Sequence, residues 1–191
     1  MATDLTPLAL EEYRALRATI RERGTMRLLV AMITFVAWAA GALAVVSWAS
    51  VSALALLPLL VLVAGFEVVF AAHVGVERIG RYLQTYYETP GPNPPQWERL
   101  AMEIGPQAGA GSGIDPLFTA VFVLAGLLNL VPTSLLSLSD GPTLPGGVPL
   151  ELAVYGMLHA LFIGRLFRAR RFAARQRARE LQLFKAPGAR P

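Results

Sequence analysis

The longest stretch of this chain without a charged side chain runs from Leu28 to Phe66. As a single helix it would extend about 58 Å, and a hydrocarbon core is only about 30 Å thick. The run therefore predicts two helices folded back on each other. Ser47, Trp48, Ser50 and Ser52 mark the reversal, with Trp48 suited to the headgroup level and Ser52 to an N-cap. Helix 1 is expected over residues 28–48 and helix 2 from residue 52 onward. Pro58 falls in the second turn of helix 2, where a kink is expected but not a stop.

A third span begins at Asp115 as N-cap with Pro116 in the first helical position, and stays mostly apolar to Leu138. Asn129 and Pro132 interrupt it without adding charge. The fourth is short, since only Leu152 to Gly164 is uncharged. Its edges extend it: Glu151 suits the outer helix N-terminus, and Arg165 and Arg168 can snorkel to the inner headgroups.

The charges orient these spans. All 17 Lys and Arg residues fall in segments 1–27, 74–115 and 164–191, and the two remaining loops contain none. With four spans the three basic segments share one side, the cytoplasmic one by the positive-inside rule. The expected fold is all-α: a polytopic membrane protein of four transmembrane helices, with N-terminal and C-terminal basic amphipathic cytoplasmic helices. Its parts are a cytoplasmic amphipathic helix (1–27), a transmembrane hairpin (28–73), a cytoplasmic extension with interfacial helix and linker (74–114), a second hairpin (115–168) and a basic tail (169–191). The first 27 residues are polar and helical, so no cleaved signal peptide is expected.

On the cytoplasmic face, Thr6-Pro7 reads as a helix start and Gly24 as its stop, with Leu10, Tyr13, Leu16 and Ile20 at helical spacing among arginines. That pattern predicts a helix on the inner leaflet, Arg14, Arg17 and Arg21 facing anionic lipid headgroups, with partner docking as the alternative. Arg168, Arg171 and Arg175 in the tail have the same expectation. Helix 2 should continue past Glu77 and Arg81, spaced to pair on one face, to Glu88 before Thr89-Pro90-Gly91-Pro92. Trp97, Leu100, Ala101 and Ile104 form a short interfacial stripe. Gly109-Ala110-Gly111-Ser112-Gly113 is a linker; it lacks the Gly-Lys-Ser/Thr of a phosphate-binding loop and follows no strand.

Composition narrows the function classes. Only 16% of residues are charged, against about 25% in soluble domains, which agrees with a membrane chain. Arginine outnumbers lysine sixteen to one, and with the Ala, Gly and Pro content this suggests a GC-rich bacterial genome and hence a bacterial inner-membrane location. The absence of cysteine excludes disulfides and thiolate metal sites. A basic chain invites a nucleic-acid reading, but these arginines lie beside a membrane and form no reader motif. No nucleophile with a base, hydrolytic carboxylate pair or metal cluster can be assembled, so no enzyme activity is expected.

The remaining candidates are polar residues within the spans, where an ionisable group costs at least about 2.5 kcal/mol. Counting from Glu77 and Arg78 puts Glu67 near mid-bilayer, and counting from Arg165 puts His159 at similar depth. Glu67 and His159 are expected to face each other, with Asn129 from helix 3. A structural hydrogen bond is the first reading and a proton or ion path the second. His73 shares a helix face with Glu77. His73 and His159, on helices 2 and 4, also raise a bis-histidine haem b site, with Gly75 and Gly156 giving a macrocycle room. Gly41, Gly65, Ala71, Gly75, Gly126, Gly156 and Gly164 suggest close helix contacts and leave a homo-oligomer open. The function expected first is an accessory or scaffold protein binding anionic lipid or a partner; a small transporter or channel subunit using Glu67 comes second, and a haem or quinone anchor third.

Overall fold

The computed structural model describes residues 6–48, 52–88, 97, 98, 100, 116–131, 134, 142–145 and 149–185. These residues build four α-helices: α1 Pro7–Trp48, α2 Leu56–Tyr86, α3 Pro116–Leu128 and α4 Leu150–Lys185. Among them the only strand-like pairing is an isolated bridge between Thr143 and Pro149. Helices α1, α2 and α4 are long and apolar enough to cross a membrane, and α3 is a shorter apolar helix.

Three boundaries differ from expectation. Gly24 does not stop the first helix: α1 is continuous over 42 residues, about 63 Å. A helical glycine costs about 1 kcal/mol relative to alanine, and Arg21-Glu22-Arg23 before it and Met26-Arg27-Leu28 beyond Thr25 carry the helix through. The N-terminal basic segment is thus the first part of α1, not a separate helix. A 3-10 turn, Ser52–Ala55, precedes α2, so Pro58 lies in the first α-helical turn. So near the start of the helix a proline is readily accommodated. The third helix ends at Leu128 with a turn at Asn129, although Leu130, Val131 and Ser134 are again helical. Asp115, Pro132, Ala101, Ile104, the glycine linker and most of the 139–149 loop lie outside the described residues.

The chain divides into two compact units. Leu29–Val69 and Leu117–Ala169 form an apolar unit whose charged residues are Glu67, Asp140, Glu151, Arg165 and Arg168. Phe66, Phe122 and Phe162 are buried at its centre, Phe122 meeting Phe66 at 5.4 Å and Phe35 at 4.8 Å between ring centroids. Thr34 of α1 covers Gly65 of α2, a position at which any Cβ would collide with the threonine side chain. Its outer surface carries Met32, Val36, Leu43, Leu60, Val68 and Leu161 exposed. Surface of that composition is costly in water and natural in lipid.

The charged unit comprises Met1–Leu28, Phe70–Pro116 and Arg170–Pro191. It buries Leu83, Phe70 and Ala173, and with them the charged side chains Arg81, Glu88 and Glu180. Tyr13, Tyr82, Tyr86, Tyr87 and Phe184 form a chain of ring contacts beside them.

Candidate functional site: two buried polar networks

In the apolar unit the expected trio separates. Asn129 and His159 meet, with Asn129 Nδ2 3.1 Å from His159 Nε2, but Glu67 is not with them. The third member is Trp38 of α1, whose indole N–H donates to Asn129 Oδ1 at 3.0 Å. An indole nitrogen can only donate, so this bond fixes the amide orientation: Oδ1 accepts from Trp38 and the NH2 group donates to the histidine. His159 Nε2 is then the bare nitrogen, and Nδ1–H donates to the Tyr155 carbonyl at 2.7 Å. The Asn129 amide also reaches the Ala55 carbonyl at 3.4 Å. Both Asn129 and His159 are almost fully buried. Every member is engaged in a hydrogen bond, and the three side chains link α1, α4 and the turn that follows α3. The sequence signal for Trp38 is a tryptophan in the middle of an apolar helix, since a buried indole N–H requires an acceptor.

Glu67 instead accepts from Arg165 Nη2 at 2.8 Å, both side chains being about two-fifths exposed. The Arg165 guanidinium also lies over the Phe66 ring, 5.8 Å from its centroid. Counting from Glu77 puts Glu67 at mid-bilayer, but its partner closes the apolar run of α4. Glu67 therefore shares the level of the charged end of that run, where a long arginine side chain can reach it.

The charged unit holds a second network. Glu180 accepts from Arg81 Nε and Nη2 at 2.8 and 2.5 Å, from Arg78 Nε at 2.9 Å and from Gln176 at 2.6 Å. Glu77 accepts from Arg81 at 3.2 Å and Arg177 at 2.5 Å. The Glu77–Arg81 spacing predicts an i, i+4 pair, and it forms with the Arg81 side chain only 1% exposed. Burial opposes the Glu180 charge, yet the bonds from Gln176, Arg81 and Arg78 outweigh it and hold that carboxyl below the ordinary range. Arg27 donates to His73 Nδ1 at 2.9 Å, because a guanidinium never accepts; the proton of this neutral ring sits on Nε2, 3.5 Å from Glu77.

Nearby, Arg17 bonds Glu98 at 2.5 Å, Glu88 at 3.4 Å and the Tyr13 hydroxyl at 3.1 Å. Glu12 accepts from the hydroxyls of Tyr82 and Tyr87 at 2.9 and 2.6 Å. Burial and that carboxylate both push the two phenols above their usual range.

No family, curated protein or solved structure matches this chain. Its chemistry is therefore read from these residues. For a bis-histidine haem, the two rings lie in different units, each ring is engaged as described, and Arg23 occupies the space beside Gly75.

The six arginines expected at a membrane surface separate into kinds. Arg17 is turned into its unit, and Arg14 is exposed 4.0 Å from Glu11. Arg21, Arg168, Arg171 and Arg175 are exposed, as is Arg179. In the charged unit, Arg171, Arg175 and Arg179 recur every four residues on α4, on one helix face, with no ion pair to any described residue.

Proposed function

We propose that this is a four-span bacterial inner-membrane scaffold protein, both termini cytoplasmic, that presents the arginine stripe Arg171, Arg175 and Arg179 to an acidic partner protein. The stripe carries the reading. Its arginines are solvated, while Arg17, Arg78, Arg81 and Arg177 are committed to internal carboxylates. The internal pairs hold the helix that displays the stripe.

Anionic lipid accounts for part of it. Arg171 follows Arg165 by six residues of continuous helix, about 9 Å, and Arg179 lies about 12 Å further along. Lipid charge is screened within about 8 Å at physiological ionic strength, so headgroups attract the near end of the stripe and a protein surface suits its full length. A helix that continues directly from a span also cannot lie flat in the headgroup plane, which disfavours inner-leaflet docking of the N-terminal part of α1.

The chain has no cysteine, so a single introduced thiol is unique. A photo-crosslinker on the Arg175→Cys variant in native membranes should yield a protein adduct that weakens with salt and is lost when Arg171 and Arg179 are changed to glutamine. Adducts with lipid alone, or a protein adduct indifferent to those two arginines, would contradict the proposal.

A further inference from the structure

Arg165, paired with Glu67, lines a groove in the apolar unit. The groove, about 310 Å³, is lined by α2 and α4, Leu56, Leu60, Val63, Leu161 and Phe162 among its walls, and Arg165 is its only charged lining residue. Glu67 stands one helical turn beyond Val63, and Arg165 one turn beyond Leu161, so each charge continues the face that forms the groove. From Leu56 to Val63 the groove follows α2 for about 10 Å.

We propose that this groove binds one acyl chain of a phospholipid bearing a primary ammonium headgroup, with the phosphate at Arg165 and the ammonium at Glu67. The headgroup is a zwitterion, and the pair is its complement: the guanidinium offers a planar fork of N–H donors that suits phosphate, and the carboxylate has several acceptor positions for an ammonium with three donors. Both side chains are exposed enough to be reached, and Arg165 with its partner stands where the uncharged run of α4 ends, where a headgroup belongs. An anionic glycerol headgroup would bring its phosphate beside Glu67 with no cation to offset the repulsion. A choline headgroup carries the cation but no N–H to donate. In surroundings of low dielectric both differences are amplified.

The test measures lipid retained by the purified full-length protein, by native mass spectrometry, after equilibration with equal amounts of ethanolamine, choline and glycerol phospholipids sharing the same acyl chains. Ethanolamine lipid should be retained at least fivefold over each of the others. In Glu67→Gln that preference should vanish while phospholipid is still bound; in Arg165→Gln all three should be lost together. Leu60→Trp, which fills the groove and leaves both charges in place, should also abolish retention, and a melting profile like that of the parent protein keeps this result interpretable if either charge variant misfolds. Equal retention of the three lipids, an ethanolamine preference that persists in Glu67→Gln, or a groove occupied by a second copy of the chain and no lipid would overturn the proposal.

Discussion

The apolar and charged units both bury polar side chains, and they do so with different chemistry. In the apolar unit, Trp38, Asn129, His159 and the Tyr155 carbonyl form a one-way chain of neutral donors and acceptors. In the charged unit, Arg81, Glu180, Glu77 and Arg177 are interlocked ions. A buried neutral group requires only its hydrogen bonds, whereas a buried ion must also offset several kcal/mol of lost hydration. Among the described residues, the ions of the apolar unit are accordingly half-exposed, as Glu67 and Arg165 are, or fully exposed, as Glu151 and Arg168 are. In the apolar unit neutral hydrogen bonds specify packing; in the charged unit ion networks specify it and leave Arg171, Arg175 and Arg179 solvated.

Breaking the ionic side should have the largest effect. Glu180→Ala leaves the buried Arg81 guanidinium without its main partner, and about 3–5 kcal/mol of stability should be lost, read as early proteolysis within residues 70–88 and 170–185. Replacing Arg81 and Glu180 together by Met and Leu should restore most of it. Gly65→Ala probes the apolar side by forcing a methyl group into Thr34, and should cost about 1–3 kcal/mol in thermal unfolding in detergent. Asn129→Leu strands the Trp38 N–H and the His159 acceptor together, for about 1–3 kcal/mol and a shifted tryptophan emission.

Acidity separates the units without mutation. Because the folded Glu180 carboxyl is held below the ordinary carboxylate range, its contribution is fully present above that range and disappears as pH falls through the folded value. Tyr82 and Tyr87 have the opposite sign: raised in the fold, they stabilise below the usual phenol range and lose that contribution as pH rises through their folded values. Hydrogen exchange should therefore show the charged unit opening first in acid while α3 stays protected. The smallest effect belongs to the stripe: Arg171→Gln, Arg175→Gln and Arg179→Gln should each change stability by no more than about 0.5 kcal/mol, since those side chains touch solvent.

Much of this architecture follows from one-dimensional patterns. The apolar runs locate the helices, and the Glu77–Arg81 spacing locates one pair. Partners far apart in sequence do not announce themselves that way. Glu67 and His159 have similar depths by counting, but depth says nothing about which helix face each occupies, and Arg165 lies close enough in space to claim the carboxylate. The misread stop at Gly24 has a different origin, because a glycine ends a helix only where the backbone also turns left-handed, and its neighbours keep it helical. Glu180 sits in a run of arginines that reads as a solvated tail, and only the pairing of α4 with α2 shows that it is buried.

The most direct test of the central claim is topology by thiol labelling, using single-cysteine variants and a membrane-impermeant maleimide. In intact cells Thr143→Cys should be labelled and Arg175→Cys should not, with Arg175→Cys reacting fully once the membrane is permeabilised. Labelling of Arg175→Cys from outside intact cells would put the stripe on the wrong side of the membrane and contradict the account.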